Sequence, residues 1–320
     1  MRTYIIKRLL IMIPVFIAIT MIIFALVNLT PGDPYMAMLD TTNISEEQLE
    51  VLLNSIGYYD PLPVKYIKWV GRLLQGNLGH STWYQEPVAS VLGRRLLNTL
   101  LLSVSSLVLS VIIAVPLGVI SATKKNSIFD YLATIVALMG ISIPAFFFAL
   151  GMIKIFGIDL QIMPMSGMQT VPNYAGFRQV LDVLWHMVMP VVVLAFLHTA
   201  SLMRYTRSSM LDVMQQDYIR TARAKGLGER VVIYRHALRN TMIQIVTMVT
   251  LSMGNLFSGA VLVETVFTWP GAGSLMYQAI SYRDYNLITA AALVISIAVL
   301  LSNLLADVLY ALVDPRIKLK

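Results

Sequence analysis

The sequence of 320 residues is 57% hydrophobic and only 13% charged, and its mean hydropathy is +0.72, which excludes a soluble globular domain of this size. It contains no cysteine, so a disulfide framework, a thiolate nucleophile and a cysteine-based metal site are all excluded. The formal net charge of +7 does not predict a nucleic-acid partner, because the Lys and Arg residues flank apolar runs, as they do in the cytoplasmic loops of membrane proteins.

Apolar runs long enough to cross a bilayer occur six times along the chain. A helix rises about 1.5 Å per residue and the hydrocarbon core is about 30 Å thick, so about 20 apolar residues suffice. The first run is too long for a signal peptide and continues into Thr30–Pro34 without a small-residue cleavage site, so we interpret it as a retained helix. The predicted spans are 9–29, 96–122, 131–156, 184–203, 242–263 and 287–306.

The distribution of basic residues predicts the orientation of these spans. With the N-terminus inside, 16 of the 24 Lys and Arg residues fall on the cytoplasmic side and the other 8 on the outer side. Because Lys and Arg accumulate on cytoplasmic loops, both termini are predicted to lie inside the cell, with the chain in the cytoplasmic (inner) membrane. The predicted fold is an all-α integral membrane protein with an N-terminal tail and first span (1–29), an extracytoplasmic segment (30–95) and a core of five spans (96–320).

Two segments between spans are predicted to lie outside. In 30–95 the helical spacing of Leu49, Leu52, Leu53 and Ile56 predicts a short amphipathic helix that ends at Asp60–Pro63. This segment is either a structural cap on the outer mouth or a surface that binds a partner. The second segment, 157–179, carries the Pro and Gly residues of an irregular loop.

The sequence has no constellation for bond chemistry. It contains no phosphate-binding loop, no H-E-x-x-H zinc motif and no G-x-S-x-G nucleophile motif, and it has only four His. A membrane-embedded enzyme is therefore disfavoured, and if transport uses ATP, the ATPase is another chain.

The cytoplasmic segment 204–240 carries the strongest functional signal. Its apolar residues Leu211, Met214, Tyr218 and Ala222 lie on one helical stripe, and Gly226 stands where a C-terminal glycine cap would end the helix. Gly228 then opens a second helical stretch up to Asn240. The small residues beside the turn, Thr221, Ala222 and Ala224, would let the backbone of a partner approach, although spacing alone leaves an ordinary helix-turn-helix equally open.

The stretch Tyr218–Leu227 resembles the cytoplasmic "EAA" loop of ABC importer permeases, in the variant of the oligopeptide and dipeptide permeases. The general pattern E-A-A-x-x-x-G-x₉-I-x-L-P matches at Ala222, Gly226 and Leu238, and the chain departs from it at Arg220, Thr221, His236 and Arg239. Four further stretches resemble the same family: 29–34, 142–146, 263–273 and 307–316.

The resemblance implies a permease fold of the type I ABC importers, with a coupling helix between the fourth and fifth spans. In that family the coupling helix inserts into a groove on the ATPase subunit. The residues that this implies for ATPase coupling are Tyr218, Arg220, Thr221, Ala222, Arg223, Ala224, Lys225, Gly226 and Leu227.

The resemblance also implies the partners and the cargo. The partners are a second homologous permease subunit, two ABC ATPase subunits that bind ATP and magnesium, an extracytoplasmic peptide-binding protein and membrane lipid; no cofactor is expected in this chain. The cargo would be dipeptides or oligopeptides, and the alternatives are nickel or glutathione carried by the same type of transporter. A self-contained secondary carrier, which would need a charged path through one bundle, is the alternative from another class.

Several polar or helix-breaking residues near the spans are candidates for the translocation pathway: Ser142, Pro144, Phe146, His198 and Glu264. Pro116, Pro144 and Pro190 either shape the bundle or take part in gating. Glu264 and Asp307 lie near the predicted ends of spans, where water is expected to reach them, so a hydrogen bond that fixes a helix or loop is their expected role. His198 is expected to be a satisfied polar residue inside the bundle, and Trp269, Pro270 and Gly271 are interpreted as an interfacial aromatic anchor and turn in preference to a substrate contact.

Overall fold

The computed structural model describes residues 2–29, 45–170, 176–253 and 260–313, which are mostly helical. Two of the helices continue into π-helical turns, at Ile153–Asp159 and Val232–Leu238. The helices of the described ranges are α1 (Arg2–Leu29), α2 (Glu46–Ile56), α3 (Leu62–Leu74), α4 (Val88–Thr123), α5 (Ile128–Ser142), α6 (Ala145–Met152), α7 (Phe177–Met214), α8 (Asp217–Ala224), α9 (Glu229–Val231), α10 (Arg239–Met253), α11 (Ala260–Val266), α12 (Ala272–Ser281) and α13 (Tyr285–Val313).

Four helices in the described ranges are long and apolar enough to cross a membrane, and they lie in α1, α4, α7 and α13. A fifth span is formed if α5 and the helix that follows it, which are bent by 106° at their junction, count as one broken span. The predicted span 242–263 falls on α10 and α11, and its residues 254–259 lie outside the described residues, as do 30–34, 171–175 and 314–316 of the stretches singled out above.

α4 and α7 form the centre of the bundle and make the most extensive helix-helix contact. Their backbones approach closely at Gly118, where a Cβ would lie 2.7 Å from the Cβ of Thr206 and 2.9 Å from the carbonyl oxygen of Met203. α5 crosses α7 in the same manner, since a Cβ on Gly140 would lie 2.9 Å from the Cβ of Ala200. Small residues at such crossings let transmembrane helices pack closely.

The third predicted span is broken at Pro144, which lacks a backbone N–H and holds Ile143 in an extended conformation (φ −79°, ψ 124°). By contrast, Pro116 and Pro190 lie inside α4 and α7, which continue through them. Of the three prolines, only Pro144 therefore separates two helices.

The fourth span is longer than predicted, because α7 continues past Met203 to Met214 without a break. The first part of the segment 204–240 is therefore helical, as predicted, and continues the helix that contains the predicted span 184–203. No Gly or Pro interrupts 204–214, and Thr206, Ser209, Met210 and Val213 are buried, so packing against the bundle extends the helix.

The segment that was predicted to lie outside contains the predicted amphipathic helix, α2. Its first turn is fixed by a capping box between Ser45 and Gln48, and Gly57 ends it in the left-handed conformation (φ 75°), before the predicted stop at Asp60–Pro63. A second helix, α3, was not predicted. It contacts α1 through a hydrogen bond between the hydroxyls of Tyr66 and Thr20 at 2.8 Å.

The turn before α13 is clamped to the loop before α4. The carboxylate of Asp284 is fully buried and accepts hydrogen bonds from the Ser81 hydroxyl at 2.5 Å and from the Leu287 N–H at 3.0 Å. On the surface of this clamp the rings of Trp83 and Tyr282 stack with centroids 3.6 Å apart. These contacts hold together the N-terminal ends of α4 and α13 and the C-terminal end of α12.

Candidate functional site

The predicted cytoplasmic motif forms the short helix α8 and a complete Schellman turn. Gly226 has φ +75°, its N–H donates to the carbonyl of Arg223 at 2.9 Å, and the N–H of Leu227 donates to the carbonyl of Ala222 at 3.4 Å. This pair of bonds defines a left-handed C-terminal cap that favours glycine. The predicted role of Gly226 as a cap, and of Gly228 as the start of the next helix, is confirmed.

The inner face of α8 packs against the protein itself. Ile219 and Ala222 are 0% and 6% exposed, in a cluster with Val119 of α4, Met210 of α7 and Val232 of the π-helical turn. Ala222 therefore does not present its side chain to a partner, contrary to prediction. A single sequence could not show this, because Ala222 and Ala224 are both small and only the docking direction of α8 distinguishes them.

The predicted stripe through Leu211, Met214, Tyr218 and Ala222 is also wrong as a single helical face. α7 ends at Met214 and α8 begins anew at Asp217, with Gln216 in an extended conformation between them. Tyr218 consequently points to solvent and is 44% exposed.

The face of α8 opposite Ile219 is exposed and carries charges of both signs, including Arg220 and Asp217, whose side chains approach to 3.6 Å. An ion pair crosses its glycine turn, where Arg223 donates to both carboxylate oxygens of Glu229 at 2.7 and 3.2 Å. This hydrogen bonding lowers the pKa of Glu229 and raises the pKa of Arg223, so the pair is charged at neutral pH. The exposed residues of the motif are Tyr218, Arg220, Thr221, Arg223, Ala224, Lys225, Gly226 and Leu227.

A second polar cluster lies around Glu264, which is 0% exposed. Its carboxylate accepts hydrogen bonds from the Thr99 hydroxyl at 2.6 Å and from the Ser274 N–H at 3.0 Å. The Thr99 hydroxyl in turn accepts from the Ala272 N–H at 2.8 Å. The cluster fixes the first turn of α12 against α4, and it leaves no room at Gly271, where any Cβ would collide with the Glu264 carboxylate.

Two predictions about this region need correction. Water was expected to reach Glu264, but in this conformation the side chain is enclosed and both carboxylate oxygens accept hydrogen bonds. These bonds agree with its expected role in fixing a loop. Trp269 is 0% exposed and its indole N–H donates to the carbonyl of Asn98 at 3.1 Å, so it is a core residue and not an interfacial anchor. Pro270 and Gly271 form the turn that seats it.

The remaining pathway candidates do not form one cluster. Ser142, Pro144 and Phe146 are exposed at the break between α5 and α6. Phe196 and Ala200 are two of the α7 residues that lie against this region, where they approach Phe148 and Gly140 respectively. His198 is two residues from each of them. Because each residue turns a helix by about 100°, His198 lies on roughly the opposite face of α7. It is half-buried.

Two buried acids were missed by the sequence reasoning. Asp130 and Asp284 are 2% and 0% exposed, and each accepts several hydrogen bonds. The sequence did offer a sign of Asp130, because Ser127, three residues earlier, is a typical N-cap residue and its side chain accepts from the Asp130 N–H. The expected role of Asp307 as a helix-packing group fits its 3.1 Å ion pair with Arg8. Among the described residues no group of His, Asp and Glu has a geometry that could hold a metal ion.

Comparison with known proteins identifies the class as a helical subunit of a membrane transport system. Residues 114–319 match the family described as "Binding-protein-dependent transport system inner membrane component", and residues 1–103 match the N-terminal domain of the same family. The chain belongs to this family and is a multi-pass inner-membrane protein.

Full-length relatives are found among curated proteins. The oligopeptide transport system permease protein AppB of Bacillus subtilis is 40% identical over 319 residues, which are 99% of this chain and 100% of that protein. The dipeptide transport system permease protein DppB of Escherichia coli K12 is 37% identical and both chains are covered completely. The di/tripeptide permease protein DppB of Pseudomonas aeruginosa is 37% identical over 99% of each chain.

Among solved structures, the inward-facing MetNI methionine ABC transporter has a similar fold. The TM-score is 0.56 at 18% identity, and the match covers 72% of this chain and 99% of that chain. The likeness confirms the predicted all-helical permease fold of the type I ABC importers.

Proposed function

We propose that this chain is a transmembrane permease subunit of an ATP-driven ABC importer that translocates dipeptides or oligopeptides delivered by an extracytoplasmic binding protein. The observation that carries the proposal is the full-length identity of 37–40% to permeases named for oligopeptide or dipeptide transport. Family membership does not favour a self-contained secondary carrier. The proposed assembly contains a second homologous permease subunit and two ATPase subunits, which bind ATP and magnesium, so this chain is not itself an enzyme.

The proposed coupling element is the exposed face of α8 with its glycine turn. Ile219 and Ala222 hold the helix on the floor formed by α4 and α7, so a force on its outer face acts on the bundle. The basic side chains of Arg220 and Lys225 and the small side chain of Ala224 face outward, where a groove on the ATPase subunit would enclose them. Coupling between two sites requires an element whose position both sites affect. The packing of α8 on the bundle and the exposure of its other face support this role.

The proposed pathway lies at the break between α5 and α6. Ser142, Pro144 and Phe146 are exposed at this 106° bend, and Pro144 has no N–H that could donate to the carbonyl of Gly140. Irregular backbone within a membrane is tolerated only where protein or a water-filled cavity covers it. A second permease subunit facing this bend would supply the opposite wall of such a cavity.

The proposed topology has six spans with both termini in the cytoplasm. It combines the four long helices, the broken span of α5 and α6, and a sixth span that includes α10 and α11. The extracytoplasmic segment 30–95 and the cytoplasmic segment 204–240 then lie on opposite sides. Because the chain has no native cysteine, a single Cys at exposed Ser55 should react with an impermeant reagent added outside, whereas one at exposed Gln216 should not. The reverse labelling pattern would contradict the topology.

The substrate is tested with the assembled transporter. The complex would be purified with its binding protein, and the ligand that co-purifies would be identified by mass spectrometry. Uptake of a labelled dipeptide into proteoliposomes that contain ATP would then be measured with an excess of unlabelled dipeptide, glutathione or nickel. Competition by dipeptide alone supports the proposal, and competition by glutathione or nickel alone would contradict the peptide assignment.

A further inference from the structure

An ionic cluster centred on a buried carboxylate joins α4, α5 and α7 at the end of the bundle that carries α8. Asp130, in the first turn of α5, is 2% exposed, and its two carboxylate oxygens accept from Nε and Nη2 of Arg207 at 2.6 and 2.7 Å. The Ser121 hydroxyl of α4 also donates to this carboxylate, as does the N–H of Asn126 at 3.0 Å. One carboxylate therefore holds three helices and the turn that joins two of them.

This cluster is adjacent to the floor on which α8 rests. Ser121 belongs to the cluster, and the next residue of α4, Ala122, is buried against Ile219 of α8 in the apolar cluster described above. On α7, Met210 lies one turn beyond Arg207 and packs in the same apolar cluster. The last turn of α4 and the end of α7 thus contact the ionic cluster on one side and α8 on the other.

The geometry points to a positioning role in coupling, and we propose that Asp130 and Arg207 form a clasp that makes α5, α7 and α8 move as one body. This inference rests on the proposed function of α8 as the element that contacts the ATPase. From Asp130, α5 continues for 12 residues to Ser142, which is about 18 Å, and ends at the break before Pro144. A displacement of α8 would therefore reach the proposed pathway through α5 without being absorbed at the α4–α5 turn.

An ion pair between Asp130 and Arg207 restrains the relative orientation of the helices more than apolar packing would. A bidentate guanidinium–carboxylate pair fixes both distance and orientation, whereas an apolar contact permits sliding. The pair gives little net stability, because the buried Asp130 carboxylate loses its hydration and Arg207, 27% exposed, loses part of its own. Directional restraint is therefore the property that this pair adds. Asp130→Asn removes the charge and one acceptor at nearly constant volume, and Arg207→Lys keeps the charge but loses the planar fork.

The test uses the whole transporter in proteoliposomes and measures ATP hydrolysis and dipeptide uptake separately. We expect the amount of dipeptide imported per ATP hydrolysed to fall roughly fivefold or more in Asp130→Asn, within the usual range of coupling between sites, while the basal ATPase rate stays within about twofold. The import per ATP of Arg207→Lys should lie between that of the wild type and that of Asp130→Asn. The matched control is Asp60→Asn, which removes an exposed ion pair with Lys68 in the outer segment and should leave the ratio unchanged within about twofold.

A second measurement does not depend on the substrate or on uptake. Spin labels on cysteines introduced at exposed Ile141, near the far end of α5, and at exposed Gln216, at the start of α8, report whether the two helices move together. In the wild-type complex the distance between the two labels should not change when ATP is added. In Asp130→Asn the distance should change, or its distribution should broaden. If wild-type complex hydrolyses ATP but imports no dipeptide, the substrate assignment fails, and this distance still tests the clasp.

The clasp would be overturned if Asp130→Asn and Arg207→Lys both imported as much dipeptide per ATP as the wild type and ATP did not alter the label distance in Asp130→Asn. An equal loss of import and hydrolysis at normal membrane abundance would also overturn it, because a purely structural residue gives that result. If Asp130→Asn fails to accumulate in the membrane, Arg207→Lys decides the question, since it leaves no uncompensated buried charge.

Discussion

The glycine turn after α8 provides the sharpest test of the coupling site. Gly226 has φ +75° and a Cβ added there would meet no atom within 4 Å, so a substitution is opposed by backbone conformation alone. A residue with a Cβ costs about 1–2 kcal/mol in the left-handed region, and a β-branched residue costs more. A loss of that size lowers the population of the intact turn roughly 5- to 30-fold.

Gly228, two residues away, is the matched control. It is also exposed, a Cβ there would also meet no atom within 4 Å, and its φ of −60° suits any L-residue. Gly226→Val should therefore reduce dipeptide import and substrate-stimulated ATP hydrolysis together, while Gly228→Val leaves both close to wild type. Gly226→Asn should retain most activity, because Asn tolerates the left-handed conformation.

The assay compares import, ATP hydrolysis and membrane abundance of the four proteins in the same assembled transporter. Abundance should be equal, because Gly226 and Gly228 are both exposed and neither has a side chain that packs in the core. Equal activity of Gly226→Val and Gly228→Val would refute the reasoning, because the left-handed turn would then have no part in contacting the ATPase.

Three further predictions concern the two faces of α8, the buried carboxylate and nucleotide binding. Ala222→Glu should lower membrane abundance on an immunoblot, because it places a charge in the protein's own core, whereas Ala224→Glu should keep abundance and lose coupling; the opposite pattern would mean that α8 is docked the other way round. Glu264→Gln should lower the thermal midpoint of the purified chain, since it leaves Thr99 or Ser274 without an acceptor at a cost of about 1–3 kcal/mol, and an unchanged midpoint would contradict the capping role. The isolated chain should bind no ATP in equilibrium dialysis, because it has no phosphate-binding loop, and saturable binding at micromolar ATP would disprove this.

Much of the fold follows from the sequence because the bilayer permits few structures. A backbone that crosses hydrocarbon must satisfy its own hydrogen bonds, so each long apolar run becomes a helix, and hydropathy alone located α1, α4, α7 and α13. The glycine turn was equally accessible, because the cap depends on the backbone freedom of one residue, Gly226, at the end of a short helix.

The break in the third span was only partly accessible. Pro144 indicates a disruption, but Pro116 and Pro190 carry the same local signal and their helices continue. Which proline ends a helix depends on how neighbouring helices pack around it, and the sequence does not give that packing.

Only the tertiary structure decided which side chains work together. Thr99 and Glu264 are 165 residues apart, and Asp130 and Arg207 are 77 apart, so no local pattern pairs them. Trp269 could be placed on the membrane interface from its type and position, yet packing encloses it completely. Composition and periodicity report what a segment prefers locally, whereas burial and ion pairing are properties of the assembled bundle, and in this protein those properties determine which face of α8 is free to meet a partner.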